Sequence, residues 1–177
     1  MRLQNFKTKS VQLLAMTALS LFMVAGTAQA KDPQLTGTYG DWSTYTFSEG
    51  GKKVCYMASQ PKTAEGNYTR RGEVFALVTH RPSEGSKNVF SYITGYTYKS
   101  GSETEVKVDD KTFELFTQDD TAWTPDAGTD NRLAGALRAG TKMVVKGTSS
   151  RGTATTDTFS LKGSTNAHAK ISKDCGV

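Results

Sequence analysis

Few residues in this chain have the chemistry to act on a bound molecule, and their spacing limits what they can do. The two histidines, His80 and His168, stand at the end of an expected strand and on an expected helix. A zinc site needs further ligands, and the two cysteines, Cys55 and Cys175, are better used on each other. Asp119, Asp120 and Asp126 cluster in a polar stretch near Trp123, where a pair of carboxylates would suit glycoside hydrolysis, although loop carboxylates are far more often solvated. A Ser-His-Asp triad has no sequential signature, but the G-x-S-x-G elbow that would support one is missing. The segment Gly135 to Lys142 resembles a phosphate loop but ends in Thr-Lys where Lys-Ser or Lys-Thr is required, so it reads as a helix end and a turn.

Arginines are more suggestive. Arg70 and Arg71 close a polar loop, Arg81 ends a strand, and Arg151 sits at the tip of the Gly/Ser/Thr-rich turn Gly147 to Thr153. A sheet that brought these four together would hold an anionic partner through charge-assisted hydrogen bonds. The alternative is four solvated side chains that keep the protein soluble. No cofactor is implied by any motif. Asn67-Tyr68-Thr69 fits a glycosylation acceptor, which matters only in a eukaryotic secretory pathway.

The ends of the chain bear on where such chemistry would occur. Arg2, Lys7 and Lys9 precede an apolar run from Val11 to Gly26, and Ala28-Gln29-Ala30 precedes Lys31. This is the pattern of a cleaved secretory signal spanning residues 1–30. The run is short and broken by Gln12, Thr17 and Ser20, so no membrane span is expected in the mature form. The leader holds three basic residues and no acid, so the net charge of +5 falls to +2 on cleavage. A nucleic-acid partner is therefore not expected. Two cysteines in an oxidising compartment argue for one disulfide between Cys55 and Cys175. Free thiols or a redox-active pair are the alternatives, the second without a C-x-x-C spacing to support it.

The elements that would position these residues are mostly strands. Residues 31–39 are polar and read as a flexible arm before one β-rich domain over 40–177. Asp41 to Phe47 and Lys53 to Ala58 flank a turn at Ser48-Glu49-Gly50-Gly51. Pro61 to Arg71 has no apolar period and reads as a surface loop. Strands follow at Glu73 to Thr79 and at Val89 to Tyr98, the latter interrupted by Gly95. Glu103 to Val108 and Thr112 to Phe116 around Asp109-Asp110 form the clearest hairpin. Thr129 or Asp130 would cap a helix through Leu133 and Leu137, and Ser164 or Thr165 would cap a second toward Cys175. Between them, Lys142 to Lys146 and Thr155 to Leu161 complete the strands. Strands joined by short turns, without strand-helix alternation, predict a mainly β fold: an antiparallel sandwich or distorted barrel with one or two short helices.

Several motifs, taken in order, resemble the invasion-associated locus B family of α-proteobacteria. They are Gly40-Asp41-Trp42, Lys52 to Tyr56, Val78 to Pro82, Ile93 to Tyr96, Val145 to Thr153, Asp157 to Gly163, and Cys175. The resemblance runs over nearly all of the expected mature chain. It implies an exported protein of the periplasm or outer envelope with a β-sandwich-like fold, and it supplies no catalytic residues and no cofactor. Some members have a further Cys shortly after the Gly-Asp-Trp motif, where this chain has Tyr45-Thr46-Phe47. The family name reflects a role in invasion of host cells, but many members belong to free-living bacteria, so invasion is not carried over. The expected function is that of a non-enzymatic binding protein with an unidentified envelope or host-surface partner. An envelope hydrolase acting on glycans, or a structural or stress-related factor, are the alternatives.

Overall fold

The computed structural model describes residues 32–177, and the expected signal segment and its cleavage site lie outside them. Eleven strands form one antiparallel sheet: β1 (Gln34–Tyr39), β2 (Trp42–Glu49), β3 (Lys52–Ser59), β4 (Thr63–Gly66), β5 (Phe75–Arg81), β6 (Ser86–Ile93), β7 (Glu103–Val108), β8 (Lys111–Gln118), β9 (Thr121–Trp123), β10 (Lys142–Thr148) and β11 (Ala154–Ser160). Two helices complete it, α1 (Ala127–Ala139) and α2 (Ser164–Cys175). The order across the sheet is β1-β2-β3-β5-β6-β9-β8-β7-β10-β11-β4, and its end strands β1 and β4 are not paired with each other. The protein is thus mainly antiparallel β, an open curled sheet rather than a closed barrel.

Period-2 patterning sets the inward face. Trp42 and Thr44 of β2, Met57 of β3, Val78 of β5, Phe90 of β6 and Val145 of β10 are all fully buried. The curl brings the start of β2 against the end of β11, where Asp41 N–H donates to Lys162 O at 2.9 Å and Trp42 Nε1 to Ser160 O at 3.1 Å. Gly163 permits this approach: its φ is +92°, and a Cβ there would collide with the Tyr39 carbonyl. Gly50 and Gly51, both at positive φ, form the tight turn between β2 and β3.

Several boundaries differ from expectation. Residues 34–39, read as part of a flexible arm, form β1 on β2. An edge strand with one solvent side needs few apolar residues and so leaves little sequence signal. For the same reason β4 emerges inside the expected loop, paired only to β11 with all four residues exposed. Residues 121–123 form β9, which bridges β6 and β8 and is too short to show a period. The strand expected to reach Tyr98 stops at Ile93, because Gly95 turns at φ +73° against Gly72. Helix α1 is capped by Asp126, whose Oδ1 accepts from Thr129 N–H at 2.7 Å. Asp130 instead points inward and accepts from Phe90 N–H at 2.8 Å and from the Thr124 hydroxyl. Gly163, not Ser164 or Thr165, occupies the cap position of α2, and the Ser164 hydroxyl donates to Leu137 O at 2.7 Å.

Helix α2 packs on β2 and β3 and closes one end of the curl. Its last residue, Cys175, lies at bonding distance from Cys55 on β3, with Cα atoms 5.9 Å apart. Both histidines meet at this contact, His168 from the buried side of α2 and His80 from β5. His80 Nδ1 accepts from Asn88 N–H at 3.0 Å, so Nε2 carries the proton and donates to Ser172 Oγ at 3.2 Å. His168 Nε2 reaches Asn88 Oδ1 at 2.8 Å, and the two rings meet edge to face at 5.5 Å. Among the described residues no helix is long and apolar enough to cross a membrane.

Two predictions follow from α2. A link across 120 residues restricts the unfolded chain by about 4 to 5 kcal/mol. Replacing Cys55 and Cys175 with Ser should lower the melting temperature by roughly 10 °C, and thiol titration of the native protein should find no free cysteine. Burial first, then Arg138 and His80, pull the His168 pKa from 6.5 down to about 4. The unfolded chain therefore binds the extra proton between about pH 6.5 and 4, and stability should fall as pH drops through that window and hold above it. His168→Gln should flatten this part of the pH–stability curve measured by thermal melts, and an unchanged slope would contradict the assignment.

Candidate functional site

The loop that follows β4 builds the opposite end of the molecule. Tyr68 donates its hydroxyl to Ala64 O at 2.6 Å, folding the loop back on β4. Arg71 then turns its side chain into the interior, where only 4 % of it is exposed. Its two terminal nitrogens reach Oδ1 and Oδ2 of Asp157 at 2.6 Å each, in the bidentate fork that suits guanidinium and carboxylate. Its Nε donates to Thr94 O at 2.7 Å, and Nη2 lies 3.1 Å from the Tyr92 hydroxyl and 3.2 Å from Thr94 Oγ1. Tyr92 donates to Asp157 as well. The guanidinium lies between two rings, with centroids 5.5 Å away for Tyr68 and 5.1 Å for Tyr96.

Electrostatics follow from this packing. Burial works against the Arg71 charge, but its bonds to Asp157 outweigh that cost and hold the pKa above the usual arginine value. Burial, with Asp157 beside it, pushes the Tyr92 pKa up, so Tyr92 stays a neutral donor. Asp157 itself is fully buried on the inward face of β11. The group is therefore charge-balanced and closed, and Arg71 has little left to offer a ligand.

Outside it lies a cavity of about 580 Å³, lined by Arg70, Arg151, Tyr68, Tyr96 and the hydroxyls of Ser149 and Ser150, among others. Both arginines are exposed. The turn that carries Arg151 is held by Gly152 N–H to Ser149 O at 2.8 Å and Ser150 N–H to Thr97 O at 2.8 Å. Tyr96 is anchored by a 2.7 Å hydrogen bond to Thr155 Oγ1. No carboxylate and no histidine lines this cavity, so its two guanidiniums face no competing acid. The arrangement can accept a negatively charged group and hydrogen-bond its hydroxyls; it contains no general acid–base pair.

Of the four arginines considered from sequence, the fold brings Arg70 and Arg151 to one cavity. Arg71 lies beneath it as a buried member of the ion pair. Arg81 stands at the other end of β5, about 20 Å along the strand, and pairs with Glu49. His80 and His168 face each other between β5 and α2, away from the cavity. Asp119 and Asp120 form the β8–β9 turn and offer their main-chain carbonyls to Tyr98 and Thr94. Among the described residues no cluster of three or more His, Cys, Asp or Glu is placed to hold a metal ion. Sequence reading missed Asp157, Tyr92 and Thr94. Asp157 carried one usable signal: an acid between Thr155 and Phe159 on the inward phase of an alternating strand.

The sequence model of the Invasion associated locus B (IalB) protein family matches residues 42–172. Among solved structures, the crystal structure of invasion associated protein B from Bartonella henselae is similar, at 23 % identity and a TM-score of 0.55 over 78 % of this chain and 95 % of that one. No curated protein matches the chain. The matched span begins at Trp42, which ties β2 to β11, and runs to Ser172 beneath the disulfide end, so it takes in both ends of the fold and Asp157 between them. The chain belongs to the invasion-associated locus B family.

Proposed function

We propose that the protein is exported to the periplasm or beyond and acts there as a non-enzymatic binding protein, holding an anionic partner of the envelope or a host surface between Arg70 and Arg151. The observation that carries this reading is the pair of exposed guanidiniums on a cavity without any carboxylate. Arg71 supports it indirectly. Because Asp157 neutralises that arginine, the loop is fixed without spending the free charge of its neighbour.

Export is supported by the basic start, the apolar run and Ala28-Gln29-Ala30. The cysteine pair fits an oxidising compartment. A hydrolase would require an acid and a base facing its substrate, and the lining of this cavity offers neither.

Charge-assisted contacts from two partly solvated arginines should be sensitive to salt, since the screening length falls to about 8 Å at physiological ionic strength. Titration with sulfated dextran, followed by calorimetry beside uncharged dextran, tests the reading. The sulfated polymer should bind and weaken as salt rises, and Arg70→Ala with Arg151→Ala should reduce affinity by about tenfold or more. Arg81→Ala, at the other end of β5, should leave it unchanged. Equal binding by wild type and the double variant, or no binding by wild type, would overturn the proposal.

A further inference from the structure

Every residue that lines the Arg70–Arg151 cavity has a side chain bearing a hydroxyl, an amide or a guanidinium, and none is aliphatic. An acyl chain or an apolar peptide side chain would find no apolar surface there to cover it. The volume, about 580 Å³, falls within the roughly 300 to 1,000 Å³ of sites for drug-sized ligands. A single inorganic anion would leave most of that space to solvent. The lining therefore suits an occupant that is extended, polar along its length and negatively charged.

The grouping of the polar side chains narrows the choice. The loop after β4 offers Arg70 with Asn67 and Thr69, and the β10–β11 turn offers Arg151 with Ser150, all of them exposed. Thr97 O accepts from Ser150 N–H at 2.8 Å, which sets the exposed Thr97 beside that turn. Ser149 Oγ accepts from Thr153 N–H at 3.1 Å, so its own proton is left to donate. Each loop thus presents one guanidinium accompanied by neutral polar groups. An acidic sugar unit has the matching inventory, one carboxylate and several hydroxyls that donate and accept like those of Ser and Thr. Tyr68 and Tyr96 are half-buried, and their hydroxyls are engaged by Ala64 O at 2.6 Å and Thr155 Oγ1 at 2.7 Å. What they offer a ligand is chiefly ring surface, held in place beforehand. The negative face of such a ring suits the partially positive C–H groups of a pyranose. An acidic peptide would instead bring a backbone N–H at each residue, with only hydroxyls and one side-chain amide in the lining to accept it.

We infer that the cavity takes an acidic oligosaccharide with one carboxylate per sugar: carboxylates on Arg70 and Arg151, hydroxyls on the Ser149–Ser150 turn, and a pyranose face on the tyrosine rings. This rests on the reading of the cavity as an anion-binding site and names the ligand class of that site. Calorimetry with tetragalacturonate, neutral maltotetraose and capped tetraglutamate, the last of equal charge, separates the two claims. Tetragalacturonate should bind about tenfold or more tightly than either of the others, and Arg70→Ala with Arg151→Ala should abolish the difference. Thr97→Ala with Ser150→Ala, both exposed, should weaken tetragalacturonate by about threefold or more and leave any tetraglutamate binding unchanged. Saturation-transfer NMR should carry magnetisation from tyrosine ring protons to sugar C–H groups. A sulfated uronate tetrasaccharide run alongside separates the sulfated glycans of animal cell surfaces from unsulfated acidic polymers, and preference for either over tetraglutamate supports the assignment. Equal binding of tetraglutamate and the acidic sugars, lost together in the arginine variant, would overturn it and leave the anion-binding reading standing. No binding of any of these probes, sulfated dextran included, would remove both.

Discussion

Arg71 and Asp157 form a fully hydrogen-bonded ion pair inside the sheet, and the shape of this end of the protein depends on it. Removing two charges from water costs several kcal/mol for each, and their attraction compensates only where geometry is good and the remaining polar atoms are bonded. Both conditions are met: the carboxylate takes both arms of the fork and the Tyr92 hydroxyl, while Nε is bound by Thr94 O. The pair joins three distant parts of the chain, namely the loop after β4, the end of β6 and the middle of β11. It thereby clamps one half of the sheet onto the other where no strand pairing does so. It also fixes the loop, so that Arg70 is left facing solvent beside Arg151.

The opposite end is closed by different means. There α2 is held by the Cys55–Cys175 pair, by the Ser172–His80 contact and by Ile171 in the core. Two buried neutral histidines, His168 of α2 and His80 of β5, meet at this contact, and Asn88, at φ +61°, is shaped to serve both rings. A covalent and hydrogen-bonded closure at one end and an ionic one at the other leave the middle to apolar packing of Met57, Val78, Phe90 and Leu115. The surface over the ionic end is then left for the basic cavity between Arg70 and Arg151, where the proposed binding site lies.

Local signals made much of this legible in advance. The hairpin at Asp109-Asp110 was readable because alternation and spacing lie within fifteen residues, and α1 because Leu133 and Leu137 stand one turn apart. The cysteine pairing needed only a count of two. By contrast, Arg70 and Arg71 look identical in sequence, yet one is exposed and the other is buried. What separates them is Asp157, which lies 86 positions away and reaches Arg71 only through the curl of the sheet. β1, β4 and β9 escaped notice because short or edge strands satisfy their backbone with few apolar side chains. The cap of α1 was misplaced by three or four residues because Asp126, Thr129 and Asp130 are all competent caps, and tertiary bonds from Phe90 and Thr124 claimed Asp130.

The central claim is that the Arg71–Asp157 pair holds the fold together as a unit, and a double-mutant cycle in urea unfolding tests it most directly. Asp157→Asn and Arg71→Met alone should each cost about 3 to 5 kcal/mol, because each strands a buried charge. The double variant should cost clearly less than their sum, with a coupling of about 2 kcal/mol or more. Single variants costing under about 1 kcal/mol and adding independently would contradict the account.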